Sequence, residues 1–401
     1  MDNRGETSVD VEFEYTGVGC SVPKDVTSVR FTEGLQKIGF SAFHNCKSLK
    51  SITLSSTVTE IGMHAFQSCC NLREVIFNDG LHKIGNYAFR DCTSLESIKL
   101  PSTVTEIGDH AFHSCINLRV VTFNDGLQKI GAGAFYNCTS LESITLPSTV
   151  TEIGNHAFDR CRNLREVIFN NGLLKIGDHA FHTCPLLESI ELPPTLVDIG
   201  DRAFFYCKNL REVTSLNEGP QKIGNYAFYN CKSLQSIKLR SPVVEIGHGA
   251  FAYCHNLREV ELNEGLQKIG TGTFINCDAL ERILFPTISY RLENLIQSNH
   301  WEGFEDKLNE VRGVVQWESN KLFLPSFETY RGNWNDIRRD LDTITRLVSY
   351  YELKDATATF ELALWKSKLQ VGAANTANRA AYRIDVPGPV KDTILQYLDH
   401  V

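Results

Sequence analysis

The chain has no long hydrophobic run. No stretch approaches the roughly 18 consecutive apolar residues of a membrane-spanning helix. The segment from Met1 to Val11 is polar and acidic, whereas a secretory signal needs a charged stretch followed by an apolar one. We therefore expect no membrane span and a soluble, cytoplasmic chain. Location on the extracellular surface, after export by another route, is the alternative.

The chain also lacks an excess of positive charge. The 40 Lys and Arg residues are outnumbered by 48 Asp and Glu residues, which gives a net charge of −8 at pH 7. Proteins that bind nucleic acid normally show a strongly basic face, so we expect no nucleic-acid partner. The apolar fraction of 42% and the charged fraction of 22% are those of an ordinary folded protein.

Motifs that carry chemistry are missing as well. The sequence contains no G-x-S-x-G, H-E-x-x-H, phosphate-binding glycine loop or C-x-x-C pair, which argues against catalysis, cofactors and zinc. Histidines recur before an Ala-Phe pair at His64, His110 and His156. These residues would lie on the order of 10 Å apart, too far to share one ion. A carboxylate pair brought together by folding is the remaining route to an enzyme.

The thirteen cysteines are arranged in a regular series. Eleven recur with a period of 23 residues, broken by a single insertion: Cys46, Cys69, Cys92, Cys115, Cys138, Cys161, Cys184, Cys207, Cys231, Cys254 and Cys277. Only Cys20 and Cys70 lie outside the series. A small side chain that recurs once per repeat suits an interior column, so the pattern predicts buried free thiols rather than disulfides.

The whole central region is an array of tandem repeats. Eleven units fill residues 26–279, and a twelfth opening ends at Phe285. The units begin at Val26, Leu49, Leu72, Leu95, Leu118, Leu141, Leu164, Leu187, Leu210, Leu234 and Leu257. Ten have 23 residues, and one has an extra residue near Thr214, Ser215 and Leu216, either as a tolerated bulge or as a break that admits a ligand.

The sixth unit illustrates the structural role of the repeated positions. In the sixth, Leu141, Ile144 and Leu146 have the L-x-x-L-x-L spacing of leucine-rich repeat strands. Phe158 and Cys161 are three residues apart, which predicts one face of a short helical turn. Because phenylalanine occupies this place in all eleven units, we expect a continuous aromatic column along the array.

The repeat resembles the BspA-type, or treponemal-type, leucine-rich repeat family, whose consensus is approximately L-x-x-I-x-L-P-x-x-V-x-x-I-G-x-x-A-F-x-x-C. Ile107, Gly108, Ala111, Phe112 and Cys115 show the motif in one copy. The resemblance covers residues 26–285. It implies a parallel-stranded solenoid used for protein recognition and, in some bacterial and protist members, for surface adhesion.

We therefore predict an α/β-type repeat solenoid, with parallel strands and short helical turns, followed by a mainly α-helical C-terminal region. Residues 1–25 form an N-terminal cap segment, because Val11, Phe13 and Tyr15 alternate with acidic residues as in a strand. Residues 26–285 form the solenoid. Residues 286–401 hold all four tryptophans and show apolar residues at helical spacing between Asn335 and Leu369. This region either caps the last coil or presents a face to a partner.

The outward residues of the strands form the predicted partner-binding face. The candidates are Glu74, Lys99, Thr122, Thr145, Glu166, Ile168, Glu191, Glu212, Lys238, Glu259 and Glu261. We predict a non-enzymatic, monomeric scaffold that binds a protein partner through this face. Cell-surface adhesion, or binding of a host or matrix component, by a chain exported without a recognisable signal is the alternative.

Neighbouring units alternate in type, so the underlying period is 46 residues. The residue after the first leucine alternates in charge, as in Arg73, Glu96, Arg119 and Glu142. Stacked at strand spacing, these residues predict a ladder of solvated ion pairs that helps to fix the register. A charged recognition stripe is the alternative interpretation.

Overall fold

The computed structural model describes residues 11–17, 19–215, 220–239, 243–263, 266–284, 316–318 and 321–325, together with Ile344, Arg346, Val348 and Ser349. The chain divides into two compact units, Met1–Ile283 and Leu284–Val401.

Each coil of the first unit contributes two strands. The longer strands are β1 (Glu12–Tyr15), which precedes the array, and β2 (Ser28–Phe31), β4 (Ser51–Thr53), β6 (Glu74–Ile76), β8 (Ser97–Lys99), β10 (Val120–Thr122), β12 (Ser143–Thr145), β14 (Glu166–Ile168), β16 (Ser189–Leu192), β18 (Glu212–Ser215), β20 (Ser236–Leu239), β22 (Glu259–Leu262) and β24 (Arg282–Leu284). The two-residue strands are β3 (Lys37–Ile38), β5 (Glu60–Ile61), β7 (Lys83–Ile84), β9 (Glu106–Ile107), β11 (Lys129–Ile130), β13 (Glu152–Ile153), β15 (Lys175–Ile176), β17 (Asp198–Ile199), β19 (Lys222–Ile223), β21 (Glu245–Ile246) and β23 (Lys268–Ile269).

Both sets of strands pair in parallel, as predicted. The two-residue strands form one continuous eleven-stranded sheet. The longer strands β16 to β24 also pair continuously, whereas earlier ones pair in twos, β4 with β6, β8 with β10 and β12 with β14. Arg119 N donates to Glu96 O at 2.8 Å within a pair, but Glu96 N lies 3.4 Å from Arg73 O between pairs. The 46-residue period is therefore visible in the backbone.

The 24-residue unit absorbs its extra residue after β18. The register between β16 and β18 runs from Ser189↔Glu212 to Leu192↔Ser215, with a separation of 23 residues. In the two-residue strands, Asp198 pairs with Lys222, a separation of 24. The insertion thus lies between β18 and β19. The sheet of two-residue strands returns to a separation of 23 residues beyond it, from Lys222 to Glu245.

The aromatic column predicted from the repeat runs through all eleven coils. Consecutive phenylalanine rings stack from Phe43 to Phe274, with centroids 5.0–5.7 Å apart and planes within 7° of parallel. Each ring is buried, so every coil contributes a large apolar side chain to its neighbours. A coil cannot bury this ring alone, which makes the array dependent on stacking.

The cysteines form a second interior column of free thiols. From the second coil on, each Sγ donates to the carbonyl of the phenylalanine in the preceding coil, for example Cys138 to Phe112 O at 3.2 Å. The thiol therefore donates to a buried backbone carbonyl, and substitution of the cysteine by alanine would remove this hydrogen bond. Burial raises the pKa of Cys207 to about 12, so this thiol stays protonated and can donate.

The segment that follows the conserved glycine is not helical, contrary to the prediction. In every coil two residues, four apart, have a left-handed backbone with φ between 52° and 66°, such as His156 and Arg160. Phe158 N donates to Ala180 O of the next coil at 2.8 Å, while Cys161 N donates to Phe158 O at 3.3 Å. The left-handed residues turn alternate N–H groups toward the next coil, which an α-helix cannot do. Phe158 and Cys161 still face the core.

The N-terminal segment pairs with the first coil. Strand β1 lies parallel to β2 with the register Glu12↔Ser28. The buried Tyr15 ring packs 5.0 Å from the Phe43 centroid, and its hydroxyl accepts a hydrogen bond from Gly39 N at 2.9 Å. The predicted strand is therefore present, and its capping role stays a prediction.

In the second unit, the described residues include an antiparallel pair of strands that was not predicted. Strands β25 (Gln316–Glu318) and β26 (Lys321–Pro325) pair with the register Gln316↔Phe323. The four described positions from Ile344 to Ser349 are helical, and Ile344 and Val348 are buried. The rest of the predicted helices between Asn335 and Leu369 lies outside the described residues, so a mainly helical region over 286–401 stays a prediction.

Candidate functional site

The strand face is the surface formed by the outward residues of the longer strands. Inward residues such as Ile144 and Val167 are buried, while the residues on either side of them are exposed. Of the eleven candidates, Glu74, Lys99, Thr122, Thr145, Glu166, Ile168, Glu191, Glu212 and Lys238 are exposed, and Glu259 and Glu261 are half-buried. All of them lie on this one surface.

Strand register arranges the candidates in two rows. In the first row serine lies opposite glutamate in most paired strands, as in Ser143↔Glu166 and Ser189↔Glu212, and opposite valine in Ser97↔Val120. The second row brings together pairs such as Lys99↔Thr122, Thr145↔Ile168 and Lys238↔Glu261. Because neighbouring strands lie about 4.8 Å apart, the glutamates of the first row recur about every 10 Å from Glu166 onward, and Val120 takes the place of a glutamate before it.

Apolar side chains are exposed on the same face. Ile76, Val120 and Ile168 are 49%, 55% and 48% exposed, although burial of such side chains is favourable. They lie in β6, β10 and β14, which belong to alternate coils and begin 46 residues apart. The strand face thus combines an acidic row with regularly spaced apolar side chains.

The predicted ion-pair ladder beside the first leucine is represented by one contact among the described residues. Arg165 Nη1 lies 3.9 Å from Glu188 Oε1, and both side chains are more than half exposed. At this exposure and distance the pair contributes at most a few tenths of a kcal/mol.

A stronger charge ladder, not predicted from the sequence, runs along the two-residue strands. Register alternates lysine with an acid from Lys37↔Glu60 to Glu245↔Lys268. Lys83 and Lys129 both contact Glu106, at 3.2 and 3.4 Å. Burial alone would raise the pKa of Glu106, but the hydrogen bonds and charges of these two lysines outweigh it and lower the pKa. The ladder stabilises the register of neighbouring coils.

We call the surface that follows the conserved glycine of each coil the turn face. In coil six it extends from Asn155 to Arg162. Side chains of its left-handed residues form rows of rings along the array. His64, Tyr87 and His110 stack at 4.8 and 4.9 Å, and His156 stacks on His179 at 4.4 Å.

A groove of about 570 Å³ lies along one edge of the turn face. Its lining residues are Asn155, His156, Asp178, His179, Asp201, Arg202, Asn225, Tyr226 and His248. The Asn and Asp side chains are partly occupied by the fold: Asn155 Oδ1 accepts from Asp178 N at 2.9 Å, and Asp178 Oδ1 accepts from Asp201 N at 2.8 Å. These residues therefore cap backbone N–H groups of the next coil.

One buried carboxylate links two histidines beside this groove. Asp159 is 4% exposed, and its oxygens contact His156 Nδ1 at 2.9 Å and His182 Nδ1 at 2.8 Å. The contact to His182 crosses from one coil to the next. The arrangement fixes the orientation of both rings and provides a partner for a buried carboxylate, which is costly to leave alone.

Neither a metal centre nor a membrane-spanning helix is found among the described residues. No group of three or more His, Cys, Asp or Glu in this part of the chain is placed to hold a metal ion. His64, His110 and His156 lie in separate coils, and each contacts a neighbouring ring. None of the described helical positions belongs to a helix long and apolar enough to cross a membrane.

The sequence analysis did not predict the turn-face rings, because the residue type at their position varies between coils. It did not predict the lysine–acid ladder, because each partner is 23 or 24 residues away in the chain. The alternation of K-I with E-I dipeptides is a sequence signal that could have found the ladder. No comparable signal marks the rings, since tyrosine, histidine, arginine and glycine all occupy the same place.

Comparison with known proteins identifies the repeat. The model of the BspA type leucine rich repeat region matches six times over residues 21–141, 82–211 and 175–300. In a comparison with curated proteins, no sequence matches this chain significantly.

Several solved structures are similar. A leucine rich cell surface protein from Faecalibacterium prausnitzii is 28% identical over 64% of this chain and 78% of its own, with a TM-score of 0.41. A leucine-rich repeat protein from Bacteroides ovatus is 27% identical over 62% of this chain and 82% of its own, with a TM-score of 0.36. The leucine rich repeat protein of T. pallidum is 27% identical over 52% and 77%, with a TM-score of 0.29.

The family model spans residues 21–300, which is well over half of the chain. The chain belongs to the BspA-type leucine-rich repeat family.

Proposed function

We propose that this chain is a non-enzymatic scaffold that binds a polypeptide partner along its strand face. The observation that carries the proposal is the recurrence, in every longer strand from β4 to β22, of outward side chains on either side of a buried one. Such a surface offers the same contact geometry once per coil. Repeat proteins use surfaces of this kind to bind extended partners.

The chemistry of the face indicates the kind of partner. Among the eleven candidates, six are glutamates and two are lysines, so the face favours a segment with basic side chains. The exposed Ile76, Val120 and Ile168 supply apolar area, which contributes affinity that exposed charges alone do not. A basic segment with interspersed apolar residues fits both features.

The test is affinity capture with the full chain from a native lysate, followed by cross-linking and mass spectrometry. We expect the triple substitution Glu74→Lys, Glu166→Lys and Glu212→Lys to weaken capture at least about tenfold, because each glutamate becomes a like charge to a basic partner. Cross-links should map to strand-face residues.

The control changes three exposed acids at matched places in the loops after strands, Glu33→Lys, Asp79→Lys and Asp125→Lys. It alters the net charge of the chain by the same amount but leaves the strand face intact. Equal loss of capture in both triple variants, or cross-links confined to residues after 285, would refute recognition by the strand face.

The location of the chain is part of the same proposal. All thirteen cysteines are unpaired in the structure, which suits a reducing compartment such as the cytoplasm. We propose a cytoplasmic monomer. Surface display, detected by labelling of intact cells with a membrane-impermeant reagent, would favour the adhesion alternative.

A further inference from the structure

The turn face of coils six to ten carries positive charge and aromatic rings on an otherwise acidic chain. Arg162, Lys208 and Lys232 each follow the column cysteine of their coil and are exposed. Tyr206 and Tyr229 are half-buried and Tyr253 is 36% exposed. We call these six residues the cationic–aromatic band.

Carboxylates are kept away from this band. Asp159 is buried between two histidines. Asp178 and Asp201 lie in the neighbouring groove and accept backbone N–H groups there. Asp278, beyond the end of the band, pairs with His255 at 2.6 Å. From the second left-handed residue of each turn to the second residue after the column cysteine, coils six to ten contain no acidic residue, whereas the exposed Asp178 lies on the groove side.

The packing of the rings determines what they can bind. Tyr229 is stacked on Phe205, with centroids 4.7 Å apart and planes 7° from parallel. Tyr253 approaches it at 5.0 Å in a tilted arrangement, and Lys208 Nζ lies 5.4 Å from the centre of the Tyr206 ring. Neighbours thus cover the flat faces of Tyr206 and Tyr229 and leave their edges for a ligand, while the Tyr229 and Tyr253 side chains share a hydrogen bond.

Ring edges carry the positive end of the aromatic quadrupole, and tyrosine hydroxyl groups can donate hydrogen bonds. Burial, with the neighbouring phenols, raises the pKa of Tyr229, so this hydroxyl keeps its proton at neutral pH. Edges, hydroxyls and cations all favour an acceptor with negative charge, and an ionised carboxylate is a pure acceptor. Nucleobases would require open ring faces for stacking.

We propose that the cationic–aromatic band is a second interaction surface that binds an extended acidic polypeptide segment. Coils six to ten are separated by four spacings of about 4.8 Å, which corresponds to about six residues of extended chain at roughly 3.3 Å each. The surface lies on the turn face and is independent of the strand face.

The experiment titrates the full chain against fluorescein-labelled octaglutamate and follows the fluorescence anisotropy at low and at physiological ionic strength. We expect binding that weakens with salt and that falls about fivefold in the double variant Lys208→Gln, Lys232→Gln. The variants Tyr229→Phe and Tyr253→Phe retain the rings but lose the hydroxyls, and they should also bind more weakly.

The matched control is Lys47→Gln with Lys50→Gln. Lys47 follows the column cysteine of the first coil and is exposed, so it repeats the change at the same place without the band. Absence of octaglutamate binding, equal binding by the double variant and this control, or equal binding of octaglutamine would overturn the proposal. Tighter binding of an eight-nucleotide oligothymidylate would overturn it in favour of nucleic acid. The strand-face variant should bind octaglutamate at least as well as the unaltered chain, which separates this test from that of the proposed function.

Discussion

At the scale of single residues, the most unusual feature is the left-handed backbone on the turn face. The array has twenty-two such positions, two per coil, and glycine occupies only three of them, at Gly133, Gly249 and Gly272. A non-glycine residue in this conformation costs about 1–2 kcal/mol. The hydrogen bonds to the next coil, such as His156 N to Asp178 O at 2.8 Å, offset this cost.

The left-handed conformation predicts that substitution by glycine can stabilise the chain. Thr183 is β-branched and has a φ of 57°, which is strained for its side chain. We expect Thr183→Gly to raise the free energy of unfolding by about 1 kcal/mol. Thr139, half-buried and outside the left-handed set, is the control, and Thr139→Gly should lower the stability by a similar amount. Denaturant unfolding measures both, and destabilisation by Thr183→Gly would contradict the strain argument.

At the scale of elements, the sequence predicts the columns but not the conformation of the segment between them. The fixed period of Phe158 and Cys161 was sufficient to place both side chains in the core. Their three-residue spacing fits a helical turn and also a series of tight turns. The deciding residues, His156 and Arg160, are not glycines, so nothing in the sequence marks a left-handed backbone there. The strand-face rows were predicted, because alternation along a strand follows from its geometry.

The histidine rows make the turn face sensitive to acid. Burial, and then the charges of His156, His182 and Arg202, lower the pKa of His179 below 6.5. Its Nδ1 is buried and has no hydrogen-bond partner. The unfolded chain binds a proton at His179 more tightly than the folded chain does. The stability that the folded chain has with neutral His179 is therefore present above pH 6.5 and is lost as the pH falls through the lowered pKa.

We therefore expect His179→Tyr to reduce the loss of stability between pH 7.5 and pH 5. Tyrosine already occupies the same place in coil nine, at Tyr226, so the ring row can be kept. Unfolding free energies of both proteins at several pH values provide the measurement. An unchanged pH dependence would show that His179 does not titrate differently in the folded chain.

At the scale of the whole array, the repeating physical unit is a pair of coils. Lysine and acid alternate along the two-residue strands, and the longer strands of the first coils pair in twos. Removal of one coil would place Lys83 beside Lys129, whereas removal of two would place it beside Glu152. Like charges at strand spacing are unfavourable.

Deletion of residues 95–140 should consequently be tolerated better than deletion of residues 95–117, although it removes twice as much chain. We expect a higher unfolding midpoint for the larger deletion, by a few degrees. Thermal unfolding followed by circular dichroism compares the two. A higher midpoint for the single-coil deletion would mean that the alternation has no influence on stacking.

The direction of the turn-face hydrogen bonds gives the array a chemical polarity. Phe43 N donates to Ala65 O, and this sense is kept from coil to coil, so the first coil has carbonyl oxygens where no earlier coil supplies a donor. Lys24 Nζ donates to one of them, His44 O, at 2.6 Å. A cover for the beginning of such an array must bring donors and a cover for its end must bring acceptors. The two termini are therefore not interchangeable, and a cap moved from one end to the other would fail.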